Sequence, residues 1–266
     1  MSPEKSRHIP DNVQSYNNFA LIYDQIALSR NHYERQANAV CDTFEVLGVS
    51  KSARILDASC GTGAVVNLLQ GSGFEQVKGS DGSSCLLALS GGERSIQQVL
   101  WRDLGDAGRG DVDAIFFAGH SLPHAEASEL PQIFAAAYDR LAPGGWIIFD
   151  MRNWVETEAG LREPNRATGI FEPLPEILVN EKRLWLAHRC DYDKDRQKIT
   201  YRYGGGDYSQ SLDNGFDEIL LEYSVFSRHS ACSWLKAAGF DEPKELSIPN
   251  WSYLFIAAQK PTDRER

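Results

Sequence analysis

The chain has 266 residues, is 42% apolar and carries a formal net charge of −10. That length suits one large domain or a domain with a sizeable insertion, and the apolar share is ordinary for a globular protein. No run of 18 apolar residues occurs, which excludes a single membrane-spanning helix, and no window gathers five basic residues to hold a phosphate backbone.

In chain order, Met1 to His8 is polar and lacks the apolar centre of a secretory signal, so residues 1–12 are expected to form a disordered arm. Asp11 to Val49 reads as helical. Tyr16, Phe19, Ala20, Ile22 and Tyr23 recur at helix spacing, as do Ala37, Val40, Cys41, Phe44 and Leu47. Ser29 to His32 is a candidate break, and Gly48 a stop. Arg54 to Ala58 predicts a first strand, followed by Ser59-Cys60-Gly61-Thr62-Gly63 and a helix from Ala64. Gln76 to Ser80 predicts a second strand, ending at Asp81. Ser83 to Leu89 reads as a helix and Ile96 to Leu100 as a third strand. Asp113 to Ala118 is apolar on both faces, as a buried parallel strand requires. The helix Pro131 to Leu141, the turn Pro143-Gly144-Gly145 and the strand Trp146 to Asp150 complete an alternation that predicts a doubly wound parallel sheet.

The pattern then changes. Leu184 to Cys190, Lys198 to Tyr203 and Glu218 to Phe226 read as strands, with Gly204-Gly205-Gly206 as a loop. Residues 154–227 are therefore expected to form an antiparallel insertion capping a domain built from residues 13–153 and 228–260. A helix over Ser230 to Ala238, stopped by Gly239, and strands at Glu245 to Ile248 and Trp251 to Ala258 close that domain. Pro261 to Arg266 reads as a frayed tail. The five cysteines, at 41, 60, 85, 190 and 232, form no C-x-x-C pair, so a reduced cytoplasmic chain without a cysteine zinc site is expected.

The chemistry concentrates at strand ends. Gly61 and Gly63 let a ligand approach the backbone at a helix N-terminus. Asp57 is read as holding an amine or ordering the loop. Asp81 lies where a ribose-binding acid belongs, and Asp103 could meet an adenine amino group, with Trp101 or Leu104 against the ring. The third glycine of the dinucleotide pattern is replaced by Val66, which disfavours NAD and an oxidoreductase. Ala58, Gly82 and Ala118 complete the expected cofactor set at the same edge. His120 and His124 follow the fourth strand. Their spacing suits a metal pair only on a helix, and Pro123 argues against one, so no metal is expected. Arg152, just past the fifth strand, offers a planar fork for a carboxylate; its alternative is a surface ion pair. Tyr16, Tyr23 and Tyr223 are read either as pocket walls favouring a sulfonium or ammonium, or as core aromatics.

Asp57 to Gly63, Asp81, Asp103 and Leu141-Ala142-Pro143-Gly144-Gly145 together resemble the class I S-adenosylmethionine-dependent methyltransferases, over roughly residues 13–153 and the closing segment. The resemblance implies a Rossmann-like seven-stranded sheet with one antiparallel strand, and S-adenosylmethionine as cofactor. Ser59 departs from the glycine many members carry. Leu56 to Gly63, Gly119-His120-Ser121-Leu122-Pro123-His124 and Asp150-Met151-Arg152-Asn153-Trp154 further resemble the glycine and sarcosine N-methyltransferases, which insert an antiparallel sheet after the fifth strand. That likeness implies that Arg152 holds a substrate carboxylate, that His124 lies near cofactor and substrate, and that Arg35, or Arg30 in competition, meets the cofactor's carboxylate. The family has asparagine where His120 stands, which puts glycine in doubt as the acceptor.

The expected activity is methyl transfer to a nitrogen of a small amino-acid-like or heterocyclic metabolite. Tyr16, Tyr223 and Arg152 bind the acceptor, and His120 is the first candidate base where one is needed. The alternatives are O-methylation of a small metabolite, or a non-catalytic S-adenosylmethionine-binding regulator. The expected partner is a small-molecule acceptor, with no nucleic acid and no membrane; a homo-oligomer is compatible with the sequence.

Overall fold

Two helices precede the sheet. α1 (Asp11–Ser29) and α2 (His32–Leu47) are separated at Asn31, whose φ of 47° breaks the helical path. Gly48, at φ 70°, ends α2, and the N–H groups of Gly48 and Val49 bond back to Glu45 and Phe44. A computed structural model describes residues 11–29, 31–91, 95–152, 172–174, 176–207 and 218–262. The expected arm overlaps α1, since Asp11 and Asn12 are helical. Asn12 is held by hydrogen bonds to residues of two other elements. Residues 1–10, Arg30, Asn153 and Trp154 lie outside the described residues.

The central sheet is built from β1 (Arg54–Asp57), β2 (Gln76–Asp81), β3 (Ile96–Gln98), β4 (Val112–Phe117), β5 (Leu141–Met151), β11 (Lys244–Ser247) and β12 (Leu254–Gln259). Their spatial order is β3-β2-β1-β4-β5-β12-β11. All neighbours are parallel except β12, which runs antiparallel to both β5 and β11. This is the expected seven-stranded sheet with one reversed strand. Four helices cover it: α3 (Ala64–Gly71), α5 (Leu130–Arg140), α6 (Arg228–Ala237) and α2; the short α4 (Ser84–Ala88) follows β2.

The period-2 pattern of the strands explains the layers. Ile55, Ala114, Phe116, Ile148 and Phe255 pack with Val40, Phe44, Val66 and Leu69 of α2 and α3. The alternate residues Leu56, Ile115, Phe117, Phe149 and Ile256 pack with Phe134, Ala137, Ala231 and Leu235 of α5 and α6. Val66, in place of a third glycine, is wholly buried in the first of these layers.

Two local expectations are corrected. Pro143-Gly144-Gly145 does not precede β5 as a turn but is looped out within it: Val112 pairs with Leu141 and Ala114 with Trp146. Gly144 N–H and Gly145 C=O bond instead to Lys260 beyond β12, which satisfies the displaced backbone. Gly204-Gly205-Gly206 is not a loop but part of a strand, paired with Ala187, Leu186 and Trp185. A Cβ on Gly206 would lie 3.0 Å from the Trp185 indole nitrogen, so the bare backbone seats that ring.

A second, antiparallel sheet follows β5. It comprises β6 (Glu172–Pro173), β7 (Ile177–Val179), β8 (Lys182–Asp193), β9 (Lys198–Asp207) and β10 (Ile219–Ser224), in the order β10-β9-β8-β6 with β7 also paired to β8. β6 and β7 are too short to leave an alternating signature. Ile199 joins the core layer beneath α5, with Tyr201 and Tyr223 against it. Lys198, 8% exposed at its side chain, pairs with Glu126 after β4 and lies 3.7 Å from Glu222. Among the described residues, no helix is long and apolar enough to cross a membrane.

Candidate active site

The strand order reverses beside β1, with β2 and β3 on one side and β4 and β5 on the other, and that reversal opens a crevice at the carboxyl edge. A cavity of about 210 Å³ occupies it. Its floor comes from Ser59 and Gly61 after β1, Asp81 to Ser83 after β2, and Leu100 to Arg102 after β3. Ser121, His124 and Ala125 after β4 close one side, and Asn12, Val13, Tyr16 and Tyr23 of α1 form the roof.

The loop after β1 is shaped by its own hydrogen bonds. Asp57, 1% exposed, accepts from Ser59 N–H at 3.0 Å and so orders the turn; burial lifts its pKa to about 8. Asp81 accepts from Gly61 N–H at 2.9 Å and Ser83 N–H at 2.8 Å, joining the first two loops. Burial pushes Asp81 upward against those donors. Gly61, at φ 55°, has open space where a Cβ would stand. α3 begins at Gly63 without a side-chain cap. An open backbone, a helix N-terminus and a carboxylate together fit the ribose and charged tail of an adenosine ligand. Gly63 also serves packing: at φ 83°, a Cβ there would meet the tip of the Ile96 side chain.

A ring of aromatic and basic groups adjoins the roof. His124 Nδ1 lies 3.1 Å from Glu222 O, and its Nε2 lies 2.9 Å from the Tyr16 hydroxyl. A carbonyl only accepts, so the proton sits on Nδ1 and Nε2 accepts from Tyr16. Asn12 braces this arrangement. Its Nδ2 donates to His124 O at 2.7 Å and Glu222 O at 3.1 Å, and its Oδ1 accepts from Glu222 N–H at 3.1 Å. Tyr223 packs 4.1 Å from His124 and stacks at 5.6 Å on His120. Burial holds His124 down at about 4. Burial, then the Arg152 charge, pushes His120 well below the imidazole range. Burial pushes Tyr16 and Tyr223 well above 10, and Tyr23 up to about 12. Both rings are therefore neutral and all three phenols protonated near neutral pH.

Arg152 follows β5. Its Nη1 donates to the Tyr201 hydroxyl at 2.6 Å, and its guanidinium carbon lies 5.5 Å from the rings of Tyr201 and Tyr253. Its buried Nε has no hydrogen-bond partner among the described residues, and no carboxylate there pairs with it. The backbone N–H of Arg152 donates to His120 Nδ1 at 3.2 Å, which puts the His120 ring proton on Nε2.

Of the residues expected from the sequence, Tyr16, Tyr23, Gly61, Asp81, Gly82 and His124 line the cavity. His120, Arg152 and Tyr223 stand together behind His124. Asp57, Ala58 and Ala118 are buried beneath the loops. Ala58 O accepts from the Trp101 indole at 2.6 Å, and Ala118 O from the Ser121 hydroxyl at 2.6 Å. Three expectations lie elsewhere. Arg35 is exposed on α2, away from the cavity. Leu104 is 1% exposed in the core under α5, and the cavity wall there is Leu100 and Trp101. Asp103 ends the 3-10 turn Trp101–Asp103 outside the lining. Asn12, Asp150, Tyr201, Trp251 and Tyr253 were not anticipated. Only Asp150 carried a signal, as an acid ending a strand like Asp57 and Asp81.

The methyltransferase domain family matches residues 31–242. Methyltransferase-like protein 27 of Homo sapiens is 32% identical over 193 residues, 67% of this chain and 76% of that one. A glycine/sarcosine N-methyltransferase of Halorhodospira halochloris is 36% identical over 111 residues, 39% of this chain and 41% of that one. The matches span between 41% and 76% of the curated relatives' own lengths, and 58% for a Geobacillus protein. An S-adenosylmethionine-bound amino pentose methyltransferase from Micromonospora echinaspora shares the fold with a TM-score of 0.66 at 19% identity, covering 90% of this chain and 96% of that one. The family match alone takes in well over half of the chain. The protein thus belongs to the methyltransferase domain family, with S-adenosylmethionine as its cofactor.

Proposed function

We propose that the protein transfers a methyl group to a nitrogen of a small acceptor, amino-acid-like or heterocyclic, that carries an anionic or carbonyl group. One observation carries this reading: a half-buried guanidinium with a buried Nε, walled by Tyr201 and Tyr253, without a carboxylate partner among the described residues. Leaving such a charge uncompensated is costly, so the site suits an acceptor that brings the missing anion. The cofactor supplies an activated methyl on a sulfonium, and the chain has only to align a nucleophile, bind the rest of the acceptor and exclude water. The nitrogen lone pair forms the new C–N bond as the C–S bond breaks, and the surplus proton leaves to solvent.

The state of the two histidines supports nitrogen. His120 turns its lone pair to Arg152 N–H and presents Nε2–H, a donor. That makes it a poor base and a fitting partner for a carbonyl or carboxylate oxygen. A neutral amine needs no base. The Tyr16 and His124 pair does favour a second reading. A hydroxyl acceptor could lose its proton through Tyr16 to His124 Nε2, which points to O-methylation. Residues 154–227 are read as the cap that selects the acceptor, joined to α1 by Asn12.

Incubation with carboxylated amines, ring N–H heterocycles and phenols, with mass spectrometry of the products, tests the choice. N-methylated products are expected. Methylation confined to oxygen overturns the nitrogen assignment. Cofactor binding without transfer to any small molecule leaves a binding regulator.

A further inference from the structure

Asp150 is the penultimate residue of β5 and is wholly buried, yet neither the cofactor half nor the guanidinium uses it. Its carboxylate meets three donors. His120 N–H donates to Oδ1 at 2.6 Å, Gly119 N–H to Oδ2 at 3.2 Å, and the Trp251 indole N–H to Oδ2 at 2.9 Å. These donors come from the loop after β4 and the segment before β12, the two strands that flank β5.

The backbone at the first two donors is unusual. Gly119 has φ 76° and His120 φ 61°. Glycine takes that conformation freely, whereas a residue with a Cβ does so only when its surroundings impose it. Successive N–H groups converging on one anion supply the imposition. The space is closed on the other side by Gln36, whose Nε2 lies 3.2 Å from where a Gly119 Cβ would stand. The bend sets the direction of the His120 side chain, and only from there does its Nδ1 meet Arg152 N–H.

We infer that Asp150 is a positioning residue: it holds His120 in its left-handed backbone conformation and so fixes which ring nitrogen faces the acceptor. Trp251 is its steadying contact, and the two join β4, β5 and β12 into one frame behind the acceptor. Burial lifts Asp150 to about 6 despite the three donors. The inference rests on reading His120 and Arg152 as acceptor-side residues, so its test includes a readout independent of turnover.

The test compares Asp150→Ala, Asp150→Asn, His120→Gly and the double variant His120→Gly/Asp150→Ala. For Asp150→Ala, kcat should fall on the order of 100-fold, as for a group displaced by about 1 Å. S-adenosylhomocysteine affinity should stay within about two-fold, the scatter expected for an independent site. Asp150→Asn keeps one carbonyl oxygen for His120 N–H but turns an amide nitrogen toward the Gly119 and Trp251 donors, so it should recover only part of the loss; it also carries the test should the alanine variant not fold. Adding Asp150→Ala to His120→Gly should cost little more, because glycine needs no clamp and there is no ring left to aim. Effects that multiply across the double variant overturn the inference, as does a lowered Tm with kcat unchanged. Nitrogen NMR of histidine-labelled protein reads the ring directly, with the proton on Nε2 in the parent and that preference lost in Asp150→Ala. An unchanged tautomer overturns the positioning role whatever the acceptor proves to be. A changed tautomer upholds it even if the acceptor reading fails.

Discussion

The two halves of the site are built in different ways. The cofactor half is made by short pieces of backbone, each a few residues past the strand that delivers it: Ser59 to Gly61 after β1, Asp81 to Ser83 after β2. The proposed acceptor half is made by side chains from distant places, with Tyr16 on α1, His120 and His124 after β4, Arg152 after β5, Tyr201 and Tyr223 on the second sheet, and Tyr253 before β12. The first half relies mainly on backbone groups, with the Asp81 carboxylate as its chief side chain. The walls of the second hold neutral histidines and protonated phenols around one cation, as the proposed choice of acceptor requires. Changes in the two halves should therefore separate binding of the cofactor from binding of the acceptor.

Asp81→Ala should have the largest effect. It removes an acceptor for two ribose hydroxyls and releases Gly61, and charged hydrogen bonds at about 1.5–3 kcal/mol each put the loss of cofactor affinity at roughly 100-fold or more. Calorimetry with S-adenosylhomocysteine reads it; unchanged affinity removes the ribose assignment. Arg152→Met should raise KM for the acceptor by about 10- to 100-fold, the worth of a charge-assisted pair, and leave cofactor affinity intact. A KM that does not move takes Arg152 out of acceptor binding. Tyr16→Phe touches the seam between the halves. Losing one neutral hydrogen bond to His124 should lower kcat by about 3- to 10-fold with a nitrogen acceptor. A far larger loss would favour the second reading, in which Tyr16 passes a proton.

The smallest effect is in stability against pH. His124 is held down at about 4 by burial, below the unfolded value near 6.5. The unfolded chain therefore binds the extra proton first. This contribution to stability is complete above 6.5 and is lost as pH falls toward 4. Urea unfolding of His124→Gln at a series of pH values should show a shallower loss than the parent across that window. Parallel curves would mean that His124 is not held neutral.

The same division explains what could be read from the chain. Strand, acid, glycine turn and helix lie within some ten residues, so β1, Asp57 and Gly61 are legible; Asp81 is legible as the end of the next strand, and the alternation that follows places the parallel sheet. Asp103, Leu104 and Arg35 are expected by analogy of position, and the cavity lining does not include them. Leu104 turns into the core beneath α5, and Arg35 faces outward from α2. At Gly63 a positive φ and the tip of Ile96 add a packing reason for glycine that no local pattern reveals. Tyr201, Tyr253 and Trp251 carry no spacing signal, since only strand register brings them to Arg152 and Asp150. The triple glycine looked like a loop because the ring it accommodates, Trp185, lies on the partner strand.

Asn12 has a further consequence. One amide side chain on α1 clasps both backbone groups of Glu222 and the carbonyl of His124, while Val13, Tyr16 and Tyr23 on the same helix roof the cavity. α1 cannot lift to admit or release an adenosine ligand without letting go of β10 and of the loop that bears His124. On the proposed assignment of the two halves, any movement of α1 that admits the cofactor would also loosen the wall that meets the acceptor.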